Sequence, residues 1–205
     1  MKPQELEKRN RKEFDTWAKI YDWPIFKLGF RKSYKSVEKN LPNLKKKKLL
    51  SIACGTATLE IYLAKKYKNA EIFCVDQSEE MLQHARMKAK GIKNIVLTQA
   101  NANKLPFHKD FFDIAICLNA FHHFPYQDKS LQEVNRVLKN NGLFYYADQI
   151  KDGFIRRLSA EFNDFFERGV FHYTIDELLI FFRRNKFTIQ KIEKHLRGAL
   201  VIGKK

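Results

Sequence analysis

LLSIACGTATLEIYLAKKYKNAEIFCVD (49–76) decides the fold. Its first run, LLSIA (49–53), is short and apolar and stops at Cys54-Gly55-Thr56, as a buried strand does when it ends in a turn. Leu59, Ile61, Leu63 and Ala64 lead into KKYKNA, which reads as a helix closing in a second turn. EIFCVD (71–76) is another strand. Strand, helix and strand at this spacing make a βαβ unit, whose strands run parallel.

The same alternation continues outward. Gln77-Ser78-Glu79-Glu80 starts a helix with Ser78 as N-cap and Met81, Leu82 and Ala85 turned inward. IVLTQA (95–100), FDIAICLNA (112–120) and LFYYAD (143–148) read as strands three to five, the fourth apolar enough to be buried on both faces. Leu131, Val134 and Val137-Leu138 mark a helix that Asn140-Asn141-Gly142 should end. In the tail, 154–167 carries Ile155, Leu158, Phe162 and Phe165 on one helical stripe, and Thr174 with Glu177 opens a helix reaching about Arg184. FTIQKIEKH (187–195) and ALVIG (199–203), joined at Leu196-Arg197-Gly198, form a terminal antiparallel pair. The expected fold is α/β and Rossmann-like: a doubly wound seven-stranded sheet, mostly parallel, with a C-terminal antiparallel hairpin. Residues 1–48 form an N-terminal helical cap, and 49–205 the sheet domain.

Composition narrows the class. The chain has 205 residues, 44 % hydrophobic and 30 % charged, which excludes a disordered or fibrous protein. No run approaches the roughly 18 apolar residues of a membrane span, and the N-terminus lacks the apolar stretch of a secretory signal. Cys54, Cys74 and Cys117 are dispersed without a CxxC, the pattern of reduced thiols in a cytoplasmic protein without a metal site. The net charge is +16, unevenly spread: residues 1–48 hold 15 Lys and Arg against 6 Asp and Glu, residues 49–150 hold 12 against 10, and residues 151–205 hold 12 against 7. Basic arms around a nearly neutral centre offer a positive face to an anionic partner, a membrane surface or a nucleic acid. A lysine-rich composition that only solvates the surface gives the same counts.

A strand entering a small-residue turn and then a helix sets backbone N–H groups at a helix N-terminus, where an anionic or polar ligand binds. Here the turn is Ala53-Cys54-Gly55-Thr56-Ala57-Thr58, AxGxAx rather than GxGxxG. Asp76, at the carboxyl end of the second strand, stands where a carboxylate accepts both ribose hydroxyls of an adenosine; it also suits capping of the next helix. These two elements leave a nicotinamide dinucleotide and S-adenosylmethionine (SAM) both open.

Two further segments, QANANKLPF (99–107) and FDIAICLNAFHHF (112–124), join LSIACGTATLE, VDQSEEML and EVNRVLKNNGLFYYAD in order. Together they resemble the class I SAM-dependent methyltransferases, closely over 49–150 and more loosely beyond. The resemblance implies SAM as cofactor, with Ser51, Ala53, Cys54 and Gly55 at its methionine part and Asp76 on the ribose. Gln77 and Met81 would border the adenine, Asn101 and Ala102 its edge, and Leu118, Asn119 and His122 the methyl end. Three positions depart from the family pattern: Ser51 and Asn101 replace acidic residues, and Ala57 replaces a glycine.

FDTWAKIYDWPIFKLGFRKSYK (14–35) is similar to the cap of quinone-biosynthesis C-methyltransferases and of short phospholipid N-methyltransferases. That likeness puts Tyr21 over the cofactor, with Trp17, Phe26 and Phe30 roofing an apolar pocket. Residues 151–185 become a substrate-side helical segment, and Arg156-Arg157 beside its phenylalanines suits an anionic interface. The expected acceptor is a small molecule or a lipid. No (N/D)PP(Y/F) clamp follows the fourth strand and no proline precedes a cysteine, so nucleic acid is the weaker partner. Tyr21, His122 and Asp148 are the catalytic candidates, with His123 and His172 as further bases. The expected location is cytoplasmic, with peripheral membrane contact. Two other readings stay open: an adenosine- or SAM-binding protein without activity, and a nicotinamide-dependent oxidoreductase.

Overall fold

A computed structural model describes residues 2–152, 170–195 and 198–205, with the backbone alone over 24–29. The expected helix at 154–167, and with it Arg156-Arg157, lies outside the described residues, as do the side chain of Phe26 and the turn residues Leu196 and Arg197. Seven strands form one sheet: β1 (Lys48–Ile52), β2 (Glu71–Asp76), β3 (Ile95–Gln99), β4 (Phe112–Leu118), β5 (Leu138–Gln149), β6 (Thr188–Lys194) and β7 (Gly198–Lys204). Their spatial order is β3-β2-β1-β4-β5-β7-β6, with β1 to β5 parallel and β7 antiparallel to both β5 and β6.

The described helices are α1 (Pro3–Trp17), α2 (Pro24–Asn40), α3 (Thr58–Lys66), α4 (Glu79–Lys88), α5 (Gln127–Val137) and α6 (Ile175–Arg184). Alternate residues of the central strands feed two cores. Leu50, Ile52, Ala115, Cys117, Phe144 and Tyr146 face α5 and α6. Leu49, Ile72, Cys74, Ile114, Ile116 and Tyr145 face α3, α4 and Val37 of α2. Burial of both faces is what the near-continuous apolar runs demand. Among the described residues, no helix is long and apolar enough to cross a membrane.

Local signals appear where the sequence puts them. Ser78 caps α4 by accepting from the Met81 N–H at 3.1 Å, and Thr174 with Glu177 closes a capping box on α6. One boundary differs. Asn140-Asn141-Gly142 does not separate α5 from the fifth strand but lies inside β5, which starts at Leu138. A register shift against β4 absorbs these residues, Asn141 takes φ 66°, and Asn141 and Gly142 exchange backbone hydrogen bonds with Lys205. The C-terminal strand therefore converts a sequence-local turn into a bulge.

Candidate functional site

The sheet changes direction of winding between β1 and β4, and ligands of open α/β sheets bind outside the strand ends at such a point. A cleft lies there. Its walls include Tyr21, Ala53, Gly55, Asp76, Gln77, Met81, Asn101, Ala102 and Asn119, nine residues that sequence reasoning singled out.

The β1–α3 loop is bent by three left-handed residues, Ala53 (φ 53°), Gly55 (φ 54°) and Ala57 (φ 53°). Only the middle one is glycine. A Cβ at Gly55 would stand 3.2 Å from the Tyr21 ring, so the absence of a side chain lets the cap close on the loop. Asp76 spans the cleft floor: its Oδ2 accepts from the Gly55 N–H at 2.8 Å and its Oδ1 from the Ser78 N–H at 2.9 Å. Asp76 braces the start of α4 and also faces the cleft. Burial pushes its pKa up to about 6, and the backbone donors offset this only in part.

The other expected residues lie behind this wall. Ser51 is buried and its hydroxyl donates to Glu60 of α3 at 2.7 Å. Cys54 is half-buried, interacts with the buried thiol of Cys74 and points its sulfur at the Gly55 carbonyl at 3.6 Å. Leu118 ends β4 and packs on the α3 face. His122 is buried in the turn after β4 and meets Asp148 of β5, Nδ1 to Oδ1 at 2.6 Å. A Cβ at Gly198 would fall 2.3 Å from the Asp148 carbonyl, so glycine there lets β7 press against β5 and fix Asp148. His172 stacks on His122 with ring centroids 5.4 Å apart, and His123 is the histidine that faces the cleft. Burial, together with His122, His172 and Arg9, holds His123 well below the usual imidazole range, so it is uncharged at neutral pH.

The cap supplies groups that sequence reading missed. Asp22 accepts from Thr56 at 3.0 Å and from Lys88 of α4 at 2.9 Å, tying the cap to the loop. Ser78 donates to Asp15 at 2.6 Å, and Asn10 donates to the His123 carbonyl at 2.8 Å. Glu7 lines the cleft and accepts from Asn101 at 2.6 Å. Tyr21 stacks on Phe30 with centroids 5.3 Å apart; burial and then Asp76 hold its phenol far above the usual value, so it is a neutral donor. The cap contacts join residues up to 113 apart, beyond the reach of local patterns.

This geometry fits SAM. Asp76 has lone pairs left for two ribose hydroxyls, Met81 and Ala102 offer apolar surface beside it, and the Gly55 cradle admits a chain close to the backbone.

A family model described as a methyltransferase domain matches residues 49–142. The uncharacterized methyltransferase YcgJ of Bacillus subtilis is 35 % identical over 132 residues, covering 60 % of this chain and 51 % of that protein. The ubiquinone/menaquinone biosynthesis C-methyltransferase UbiE of Rickettsia massiliae is 32 % identical over 155 residues, covering 70 % of this chain and 62 % of that protein. The chain thus spans about half to three-fifths of the length of these relatives. In the solved complex between the Haloferax volcanii Trm112 methyltransferase activator and a methyltransferase, one chain superposes with TM-score 0.83 at 18 % identity, covering 94 % of this chain and 97 % of that one. The YcgJ structure gives TM-score 0.73 at 22 % identity, covering 85 % and 98 %; at such identities the likeness concerns the fold. Loop, carboxylate, strand order and relatives converge, and residues 49–142 are a methyltransferase domain of the class I SAM-dependent type.

Proposed function

We propose that this protein transfers a methyl group from SAM to a small-molecule or lipid-like acceptor. The observation that carries the reading is Asp76 set across from the left-handed Gly55 loop at the switch point of the sheet. The UbiE relatives, named for quinone biosynthesis, and a Geobacter sulfurreducens relative named malonyl-[acyl-carrier protein] O-methyltransferase favour a small acceptor.

SAM, when bound, supplies an already activated methyl group, so the chain's own work is alignment, exclusion of water and, where needed, removal of a proton. Asp76 holds the ribose. Gln77, Met81, Asn101 and Ala102 flank the adenine, while Ala53, Gly55 and Asn119 face the amino-acid arm. Tyr21, kept protonated, covers the loop and donates rather than accepts. Asp148 orients His122 through Nδ1, and this buried pair supports the turn that sets His123 on the cleft. The basic arms favour approach to an anionic surface.

The test is incubation with methyl-labelled SAM and fractionated cell extract. Label in the lipid or small-molecule fraction is the expected result; label in protein or RNA refutes the acceptor class. Saturable SAM binding without transfer would mark a binding protein, and binding of NADH without SAM would return the oxidoreductase reading.

A further inference from the structure

Two uncharged residues, Asn101 in the cleft wall and Ser51 buried behind it, each hydrogen-bond a glutamate that comes from a helix. Asn101 Nδ2 donates to Glu7 of α1 at 2.6 Å, and Ser51 Oγ donates to Glu60 of α3 at 2.7 Å. We infer that these two carboxylates complete SAM recognition at its opposite ends: Glu7 takes the exocyclic amine of the adenine, and Glu60 supplies the negative potential for the α-ammonium.

This rests on the cofactor reading above. With the ribose on Asp76, the adenine lies toward β3 and Asn101, and the amino-acid arm toward β1. Glu7 lines the cleft at the adenine end. Asn101 occupies one of the roughly four lone-pair sites of the Glu7 carboxylate, so acceptors remain for an amine. A purine amine is a donor, whereas a 6-oxo purine puts an acceptor there and would face the carboxylate unfavourably. Glu7 is therefore a specificity residue, and it rides on the cap, so adenine is read only with α1 docked.

Glu60 is a positioning residue. It is buried behind Ser51, where burial pushes its carboxyl pKa up and the Ser51 hydroxyl and Lys88 pull against that. Lys88 is the cation that opposes it, but Lys88 is also bound to Asp22. Asp76, Asp22 and Glu60 thus outweigh Lys88 around the loop, which suits a ligand carrying an ammonium and a sulfonium.

Calorimetric titration with SAM, 5′-methylthioadenosine, which lacks the amino-acid arm, and 5′-methylthioinosine, which lacks the purine amine, tests both ends. Wild-type binding of SAM tests the cofactor reading alone; its absence overturns both. Glu7→Gln should weaken SAM and methylthioadenosine about tenfold each, the usual gap between a charged and a neutral hydrogen bond, and should tighten methylthioinosine, whose oxo group then meets an amide donor in place of a carboxylate. Glu60→Gln should weaken SAM about tenfold and leave methylthioadenosine unchanged. Equal losses across all ligands, or none, refute the assignment. Should Glu60→Gln fail to fold, Ser51→Asp with Glu60→Ser returns the carboxylate to the strand: SAM affinity near wild type supports the inference, and tenfold or weaker binding overturns it.

Discussion

Replacing Ala53 by glycine should stabilise the protein although it removes a methyl group. Ala53 holds φ 53°, and a left-handed conformation costs a non-glycine residue about 1–2 kcal/mol. Glycine removes that cost but adds freedom to the unfolded chain worth about 0.4–1 kcal/mol. Ala53 is only half-buried, so little packing is lost, and the net gain is about 0.5–1 kcal/mol. For a chain of this size that raises Tm by about 1–4 °C. Ala57 shares the backbone angle but is wholly buried. Loss of its methyl costs about 0.8 kcal/mol more, leaving Ala57→Gly close to neutral. Gly55→Ala runs the other way, adding the left-handed penalty and a Cβ only 3.2 Å from the Tyr21 ring. Thermal unfolding of the three variants without SAM should rank Ala53→Gly above wild type, Ala57→Gly beside it and Gly55→Ala below. A lower Tm for Ala53→Gly, or equal shifts for both alanines, would refute the strain argument.

Asp76 gives a pH dependence. Its folded pKa of about 6 lies above the ordinary 3.8, so its contribution to the stability of the ligand-free protein is full below 3.8 and is lost as pH rises through about 6. Ribose binding needs the ionised form, so SAM affinity should be flat above pH 7 and fall up to about tenfold per unit below 6; a flat titration from pH 5 to 8 speaks against Asp76 as the ribose ligand. His122→Gln and Asp148→Asn should each lower kcat by up to about 10²-fold by displacing the turn that carries His123, with SAM affinity unchanged, and unaltered kcat would remove the pair from the support of the site. Asp22→Ala breaks the tie to Thr56 and Lys88, so SAM should dissociate several-fold faster in stopped-flow; an unchanged off-rate would mean that the cap does not gate the cofactor. Retention on anionic vesicles should vanish with added salt, and equal retention on neutral vesicles would disprove an electrostatic surface.

Much of this molecule is written locally. Strand runs, Ser78 and Thr174 as caps, the Gly55 bend and Asp76 at the end of β2 follow from apolar periodicity and turn chemistry, interactions among residues close in sequence. That was enough to read a doubly wound sheet and to set Asp76 at the strand end beside the Gly55 loop. Only the tertiary structure decided what stands opposite each residue. It set His123 rather than His122 on the cleft, folded Asn140-Asn141-Gly142 into β5 through Lys205, and bound Asn101 to Glu7, 94 residues away. The Ser51–Glu60 pair spans nine residues yet was equally hidden, because a strand and a helix meet there at an angle fixed by three left-handed residues. Charge at the site is a property of neighbours in space, and substitution at one position is legible only once the facing helix is in place.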